Sequence, residues 1–301
     1  MKVGYACINT SVGCSSSKTF RLKSYSEARL KDTINKNLTC LEQIIDYNVK
    51  KGLLFFRISS DIIPFASHPI CKLNWQELYK DRLQKIGIFI KKNKMRISMH
   101  PDQFTILNAL DQTIVERSKK ELLYHTQFLD LLGLNQSEKI QIHVGGAYGN
   151  KEISIDRFIT QYNSLDQSIK NRLLIENDER LFTVNNCLYI SHLTGIPVLF
   201  DSFHHSILNN GESYHDALEN CSKTWKKKDG PPMIDYSSQN PDGKTGNHAQ
   251  HIDSNDFFRF LLQIRGIECD IMLEIKDKER SALKASGLVL KLQRKIQQQS
   301  D

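Results

Sequence analysis

The sequence predicts an α/β fold, a single (β/α)8 TIM barrel. Three observations carry this prediction. Eight short, nearly continuous apolar runs recur along the 301 residues. Each is followed by a longer amphipathic stretch, and the strand–helix order is never broken. Continuous apolar runs are expected of parallel strands covered on both faces, and strict alternation implies right-handed crossovers into one parallel sheet. A doubly wound open sheet shares the alternation, but no Gly-rich phosphate loop follows the first run. Residues 1–296 therefore read as one barrel domain and 297–301 as a short polar tail, with no linker, repeat or low-complexity tract.

The elements follow in order. The first strand is 3–8 (VGYACI), and the first helix is 26–51. Leu30, Ile34, Leu38, Leu41, Ile44 and Ile45 share one helix face, and Gly52 is the stop. The pattern then gives strand 53–58, helix 75–93, strand 95–100, helix 113–132 ending at Gly133, and strand 139–144. Next come helix 155–171 with Ser154 as its cap, strand 173–177, helix 184–194 ending at Gly195, and strand 197–201. Helix 213–226, strand 233–237, helix 254–264 with Ser254 as a cap, strand 270–275 and helix 279–296 complete the eight units.

Composition narrows the function classes. Hydrophobic residues make up 40% and charged residues 25%, which excludes a disordered chain. No run of about 18 apolar residues exists to span a membrane. The first residues turn polar after Ile8, too soon for a signal-peptide core. The seven cysteines are scattered without a CxxC and read as reduced thiols of a cytoplasmic protein. A formal charge of +7 permits a polyanionic partner without establishing one.

The chemistry lies at the strand ends, where such barrels build their sites. His100 ends the third strand, His143 the fourth, Glu176 the fifth and Asp201 the sixth, with His204 and His205 just beyond. Asp235 lies on the seventh strand and Glu274 on the eighth. His68, His248 and His251 sit in loops after strands. The remaining histidines, His125, His192 and His215, fall inside helices and read as partly exposed helix residues. Carboxylates at the ends of apolar strands are costly to bury unpaired, and metal coordination removes that cost. Imidazole and carboxylate without thiolate suit manganese, zinc, iron or cobalt. Eight ligands exceed the needs of one ion, so two or three ions bridged by carboxylates such as Glu176 and Glu274 fit the count. Clustered divalent ions serve in-line attack of water on phosphate esters.

At this point the residues resemble the ultraviolet damage endonucleases of the UvdE/UvsE type. The matching stretches are Gly4-Tyr5 through Asn9, Arg57-Ile58-Ser59-Ser60-Asp61, Met99-His100-Pro101-Asp102-Gln103-Phe104 and His143-Val144-Gly145-Gly146. They continue with Leu174-Ile175-Glu176-Asn177-Asp178, Asp201-Ser202-Phe203-His204-His205, Tyr236-Ser237-Ser238-Gln239 and Met272 through Lys278. The resemblance implies a TIM barrel of the xylose-isomerase-like, abasic-endonuclease-like group. It implies nicking of duplex DNA immediately 5′ of cyclobutane dimers and 6-4 photoproducts, and in many members action at abasic sites. It also implies a cluster of up to three divalent ions, with manganese expected first and zinc, cobalt or magnesium as alternatives. Carried over by motif position, the ligands are His100, His143, Glu176, Asp201, His204, Asp235, His248 and Glu274. Asp235 stands where other members can have His. Glu176, Glu274 and His68 are assigned to catalysis, His68 at the phosphate or metal edge. Gln103 and Phe104 are assigned to probing the damaged duplex, and Tyr5 and Asn9 to lesion contact.

One departure stands out. Some members carry a modifiable Lys two residues before the strand-seven ligand, where this chain has Met233. Two basic clusters are candidates for backbone phosphates: Arg21 with Lys23, and Lys223 with Lys226-Lys227-Lys228. The expected partner is damaged double-stranded DNA, with no membrane and a monomeric enzyme, nucleoid-associated if prokaryotic. The competing readings are a metal-dependent sugar isomerase or epimerase on the same barrel and a damage-binding protein that does not cut.

Overall fold

Strand parity explains the barrel. In each apolar run alternate residues point outward to the helices and inward to the barrel axis. The computed structural model describes residues 1–300. Eight strands pair in parallel and close in sequential order, with β1 (Val3–Ala6) joined to β8 (Asp270–Leu273) through Val3 opposite Ile271. Between them run β2 (Phe55–Ile58), β3 (Arg96–Met99), β4 (Lys139–His143), β5 (Leu173–Glu176), β6 (Val198–Asp201) and β7 (Met233–Tyr236). All eight predicted strands are present, each trimmed at one or both ends.

The inward residues form layers. At the strand starts, Arg96 pairs with Asp270 at 3.0 Å and Lys139 with Asp229 at 2.5 Å, all four buried. Above them Ala6, Phe55, Leu174, Leu199, Met233 and Met272 pack as one apolar cluster. This plug separates the polar floor from the strand C-termini and dries the lower wall of the site. Met233 lies in the plug, 1% exposed, two residues below Asp235.

Helix α1 (Glu27–Lys51) buries the predicted apolar face and stops at Gly52, whose φ of 73° is the left-handed conformation a helix stop requires. The predicted helix 75–93 is broken at Tyr79 into α2 (Trp75–Leu78) and α3 (Lys80–Lys92). Helix α4 (Gln112–Leu131) follows as expected. The predicted helix 155–171 starts earlier and splits into α5 (Lys151–Asn163) and α6 (Gln167–Lys170). Asn150 caps α5 by accepting the Ile153 N–H, so Ser154 is not the cap. Its buried hydroxyl donates to the Gly146 carbonyl instead. Helix α7 (Val184–Thr194) matches its prediction.

Helix α8 (Ser202–Ile207) has no counterpart in the sequence pattern. It starts at the end of β6, where Asp201 caps it through the His204 N–H at 2.8 Å. Helix α9 (Tyr214–Ser222) ends earlier than expected, and α10 (Ser254–Gln263) is capped by Asp253, not Ser254. Helix α11 (Glu279–Ser300) runs through most of the segment read as a polar tail; of that tail, Asp301 lies outside the described residues. Among the described residues no helix is long and apolar enough to cross a membrane.

The cysteine reading needs correction. Cys14 and Cys40 form a disulfide, with Cα atoms 5.8 Å apart, while Cys7, Cys71, Cys187, Cys221 and Cys269 are free. The loop after β1 folds back over α1, and buried Asn37 clamps it by accepting the Lys18 N–H and donating to the Lys18 carbonyl, both at 2.9 Å. Cys40 lies one turn further along the same helix face. A pairing across 26 residues leaves no mark in cysteine spacing.

Candidate metal centre and DNA-facing rim

The inward parity that fills the barrel also builds the site. At the C-terminal end of the same inward columns, apolar residues give way to Arg57, Gln141, His143, Glu176, Asp201 and Asp235. His100 and Glu274 are the first residues past β3 and β8. Glu176, Asp201 and Asp235 are buried, and Arg57 beneath them is 2% exposed.

Two groups of side chains gather within ion-binding reach. His100, His143 and Glu176 form one, and Glu176, Asp201 and Asp235 the other, so Glu176 belongs to both. His100 Nε2 lies 2.8 Å and His143 Nε2 3.2 Å from Glu176 Oε1. His204 sits 3.3 Å from Asp201 through Nδ1, which also faces the Asn177 carbonyl at 3.0 Å. His248 Nε2 lies 3.8 Å from Glu274 Oε2. The hairpin-like loop after β7, bridged at Gln239 and His248, carries this last imidazole back over the barrel.

The residues fit a divalent cluster. Nδ1 of His143 and Nδ1 of His248 are buried without a hydrogen-bond partner. Four carboxylates converge where water is scarce, and their charges oppose one another. Burial, reinforced by Glu274, Asp235 and Glu176, pushes the Asp201 carboxyl well above its ordinary range. Burial also raises Asp235 to about 7, against the pull of Arg57. Burial works against charge on Glu176 too, but His143 and His100 outweigh it and hold that carboxyl below the usual range. Arg57 does the same for Glu274, bringing it down to about 2 despite burial. Burial opposes a charged His204, yet Asp201 and Glu176 raise it to about 9. Protons thus partly compensate the acidic cluster, and cations binding there would displace them.

The sequence missed three members of this site. Arg57 donates through Nη2 to both oxygens of Asp235, at 2.9 and 2.6 Å, and through Nη1 to Glu274. Gln141 donates to Glu176 at 2.9 Å and to Asp235 at 2.8 Å. Glu179 lies 3.6 Å from His204 Nε2 and 2.9 Å from Arg180. A signal existed for the first two: Arg57 is the polar residue of an otherwise apolar strand, and Gln141 shares the inward parity of Lys139 and His143 on β4.

Other expected site residues fall elsewhere. His68 is exposed, its Nδ1 accepting the Ile70 N–H at 3.1 Å, and no hydrogen bond or ion pair joins it to the carboxylates among the described residues. It lines a cavity of about 700 Å³ beside the centre, together with Asp61, Phe65, Asp102 and Phe104. Tyr5 and Asn9, expected at the DNA surface, are 0% and 2% exposed. This is a correction with a simple cause: Tyr5 has the outward parity, so its hydroxyl donates to Asn48 on α1 at 2.6 Å and accepts from Asn9 at 2.7 Å. Asn9 in turn accepts the Ser11 and Val12 N–H groups and so shapes the loop after β1.

Phe104 stands out at the rim with 76% of its surface exposed, which excludes a core role. Gln103 is exposed beside it and, with His100, His143, Tyr148 and Arg180, lines a groove of about 380 Å³. His205 turns away to the Glu212 carbonyl, and His251 pairs with Asp277 away from the centre. His125 is fully buried rather than partly exposed, placed 3.0 Å from the Ser60 hydroxyl, which donates to the His100 carbonyl. The Lys226–Lys228 run precedes β7 and joins the barrel floor through Asp229, so it lies at the end opposite the centre. Arg21 and Lys23 stay on the rim side, in the loop after β1.

Comparison with known proteins accords with this geometry. The family model described as UV-endonuclease UvdE matches residues 1–301. A UV DNA damage endonuclease of Clostridium perfringens is 40% identical over 286 residues, covering 94% of this chain and 69% of the relative. The crystal structure of SacUVDE superposes with a TM-score of 0.93 at 49% identity, covering 97% of this chain and 99% of that one. The endonuclease IV of Thermus thermophilus, at 15% identity and a TM-score of 0.59 over 84% of this chain and 94% of that one, shares the fold alone.

Proposed function

The chain belongs to the UV-endonuclease UvdE family, and from that premise we propose that it is a metal-dependent DNA repair endonuclease. It nicks duplex DNA immediately 5′ of cyclobutane dimers and 6-4 photoproducts, and acts at abasic sites, with two or three divalent ions, manganese first among them. The observation that carries the reading is the convergence of His100, His143, Glu176, Asp201, Asp235 and Glu274 beneath a rim that exposes Phe104. A sugar isomerase needs no such aromatic at the rim, and a pure damage binder has no use for converging ligands.

Glu176 holds the centre together: it lies between the His100–His143 pair and the Asp201–Asp235 pair. Gln141 fixes its second oxygen, and Arg57 fixes Asp235 and Glu274 from below. Divalent ions bound there lower the pKa of a water and neutralise charge on the scissile phosphate. The apolar plug excludes water from below, so that only the rim side is open to substrate. At the rim, Phe104 has a flat apolar face ready to fill the gap left by everted bases, and damage reduces the cost of eversion. The adjoining cavity of about 700 Å³ gives displaced bases room. Tyr5 and Asn9 support the loop after β1 from inside rather than touching DNA. His68, on the cavity wall, is available to a phosphate or base there. The enzyme acts as a monomer in the cytoplasm.

The test is a 5′-labelled duplex carrying one cyclobutane dimer, incubated with protein and Mn²⁺, with and without chelator. A chelator-sensitive nick at the 5′ side of the lesion is expected. Absence of that nick with folded protein overturns the reading.

A further inference from the structure

Tyr148 stands where a turn favours a different kind of residue. The Asn150 N–H donates to the Ala147 carbonyl at 3.0 Å and closes the turn. Both residues between them have positive φ, Tyr148 at 50° and Gly149 at 82°. Turns of this kind favour Asn, Asp or Gly, which tolerate the left-handed region. A bulky aromatic there is an outlier that carries backbone strain. The surroundings hold the ring in place nonetheless. A Cβ at Gly146 would come within 2.8 Å of the ring, so only glycine lets it lie against the backbone. Gly146 is itself clamped by Asn108, which donates to its carbonyl at 3.0 Å and accepts its N–H at 3.2 Å. Arg157 donates through Nε to the Asn108 carbonyl at 3.1 Å and places its guanidinium 5.3 Å from the ring centroid.

Fixed in this way, Tyr148 is still 44% exposed. It lines the groove of about 380 Å³ that also holds His100 and His143. Asp102, Thr105 and Ile106 border both this groove and the larger cavity, so the loop after β3 forms a ridge between them. Gln103 faces the groove and Phe104 the cavity, which places Tyr148 and Phe104 on opposite sides of the ridge. Arg180, whose side chain is 81% exposed, adds a cation to the groove wall. An aromatic face beside a cation is the combination that holds an unpaired stretch of nucleic acid: bases stack on the ring, and phosphates meet the charge.

We propose that Tyr148 is a stacking platform for an unstacked base of the cut strand, close to the scissile phosphate. This rests on the endonuclease reading above and assigns one strand to the groove. His100 and His143, which gather with Glu176 within ion-binding reach, open into the groove, so the strand whose phosphate is cut lies there. Phe104, across the ridge, serves a different base. The strain at Tyr148 is retained for binding, since an Asn-Gly pair would make the same turn more readily.

The test uses a duplex with one cyclobutane dimer. Nicking is followed with Mn²⁺. Binding and fluorescence are read in chelator, with 2-aminopurine placed singly beside the dimer in the cut strand or, in separate duplexes, in the opposite strand. Stacking quenches the fluorescence of this base. Y148N keeps a residue the turn accepts and removes the ring. It is expected to keep its Tm and to weaken binding of the dimer duplex by roughly 5- to 150-fold. In its saturated complex a cut-strand 2-aminopurine should be brighter than with the unaltered protein. Y148F keeps the ring and should match the unaltered protein in binding and fluorescence. Unchanged binding by folded Y148N overturns the proposal, as does brightening that is absent or confined to the opposite strand. A purely structural role would lower the Tm and leave the fluorescence of the saturated complex unchanged. Should Y148N fail to fold, Y148L carries the same comparison. No nick by the unaltered protein overturns the endonuclease reading; a nick with unchanged Y148N binding overturns the platform alone.

Discussion

Replacing Phe104 with Ala tests the rim directly. The ring is 76% exposed, so its removal takes away little buried surface. The folding cost should stay within about 0.5 kcal/mol, as for surface positions generally. In a chain of this size that is a shift in Tm below about 2 °C. The DNA side of the ledger is different. Stacking of one base on an aromatic ring contributes about 1–3 kcal/mol. Its loss should weaken binding of the lesion duplex by roughly 5- to 150-fold. Intact duplex, held mainly through its phosphates, should be bound almost as before. The assay is fluorescence anisotropy on matched damaged and intact duplexes, in chelator so that nothing is cut, with calorimetry on the same samples. An unchanged preference for damaged DNA would refute the role of the ring. A fall in Tm of many degrees would contradict the small folding cost derived from its exposure.

Further outcomes follow from the centre and its surroundings. Glu176→Gln should lower nicking by at least about 100-fold, since metal-site partners even one shell out are worth 10–100-fold, while circular dichroism shows a folded protein; near-normal nicking removes Glu176 from the centre. Metal-free protein should lose stability as pH rises from about 5 to about 9. Asp235, raised to about 7, binds more protons folded than unfolded above its ordinary range, and His204, raised to about 9, loses its favourable charge as pH climbs through that value. Thermal melts in chelator across this range check the sign, and saturating Mn²⁺ should flatten or reverse the trend. Reducing Cys14–Cys40 should cost about 3.5 kcal/mol by the chain-entropy estimate for a loop of 26 residues, read from denaturant midpoints with and without reductant. No change in midpoint would contradict that value.

Much of the fold was legible because parallel strands are written as apolar runs. Phe55, Phe56 and Ile58 announce β2 whichever face each takes, and Gly52 and Gly195 mark helix ends where a left-handed φ is needed. Helix starts were harder, since Asn150 and Ser154 are both good caps and only the path of the chain selects between them. The short helix Ser202–Ile207 has too few residues to show a period, and its cap, Asp201, reads first as a ligand.

The sequence by itself determined the order of the eight units and the acids and imidazoles at their ends, because chain order and residue type are local properties. The tertiary structure decided parity and proximity. It turned Tyr5 outward to Asn48 and Arg57 inward to Asp235, although both sit in equally apolar strands. It separated His100, His143, His204 and His248 from His68, His205 and His251, which follow strands just as closely. It joined Cys14 to Cys40 by folding one loop onto one helix. Each of these depends on where a side chain lands after the barrel closes, and closure is a property of all eight strands together.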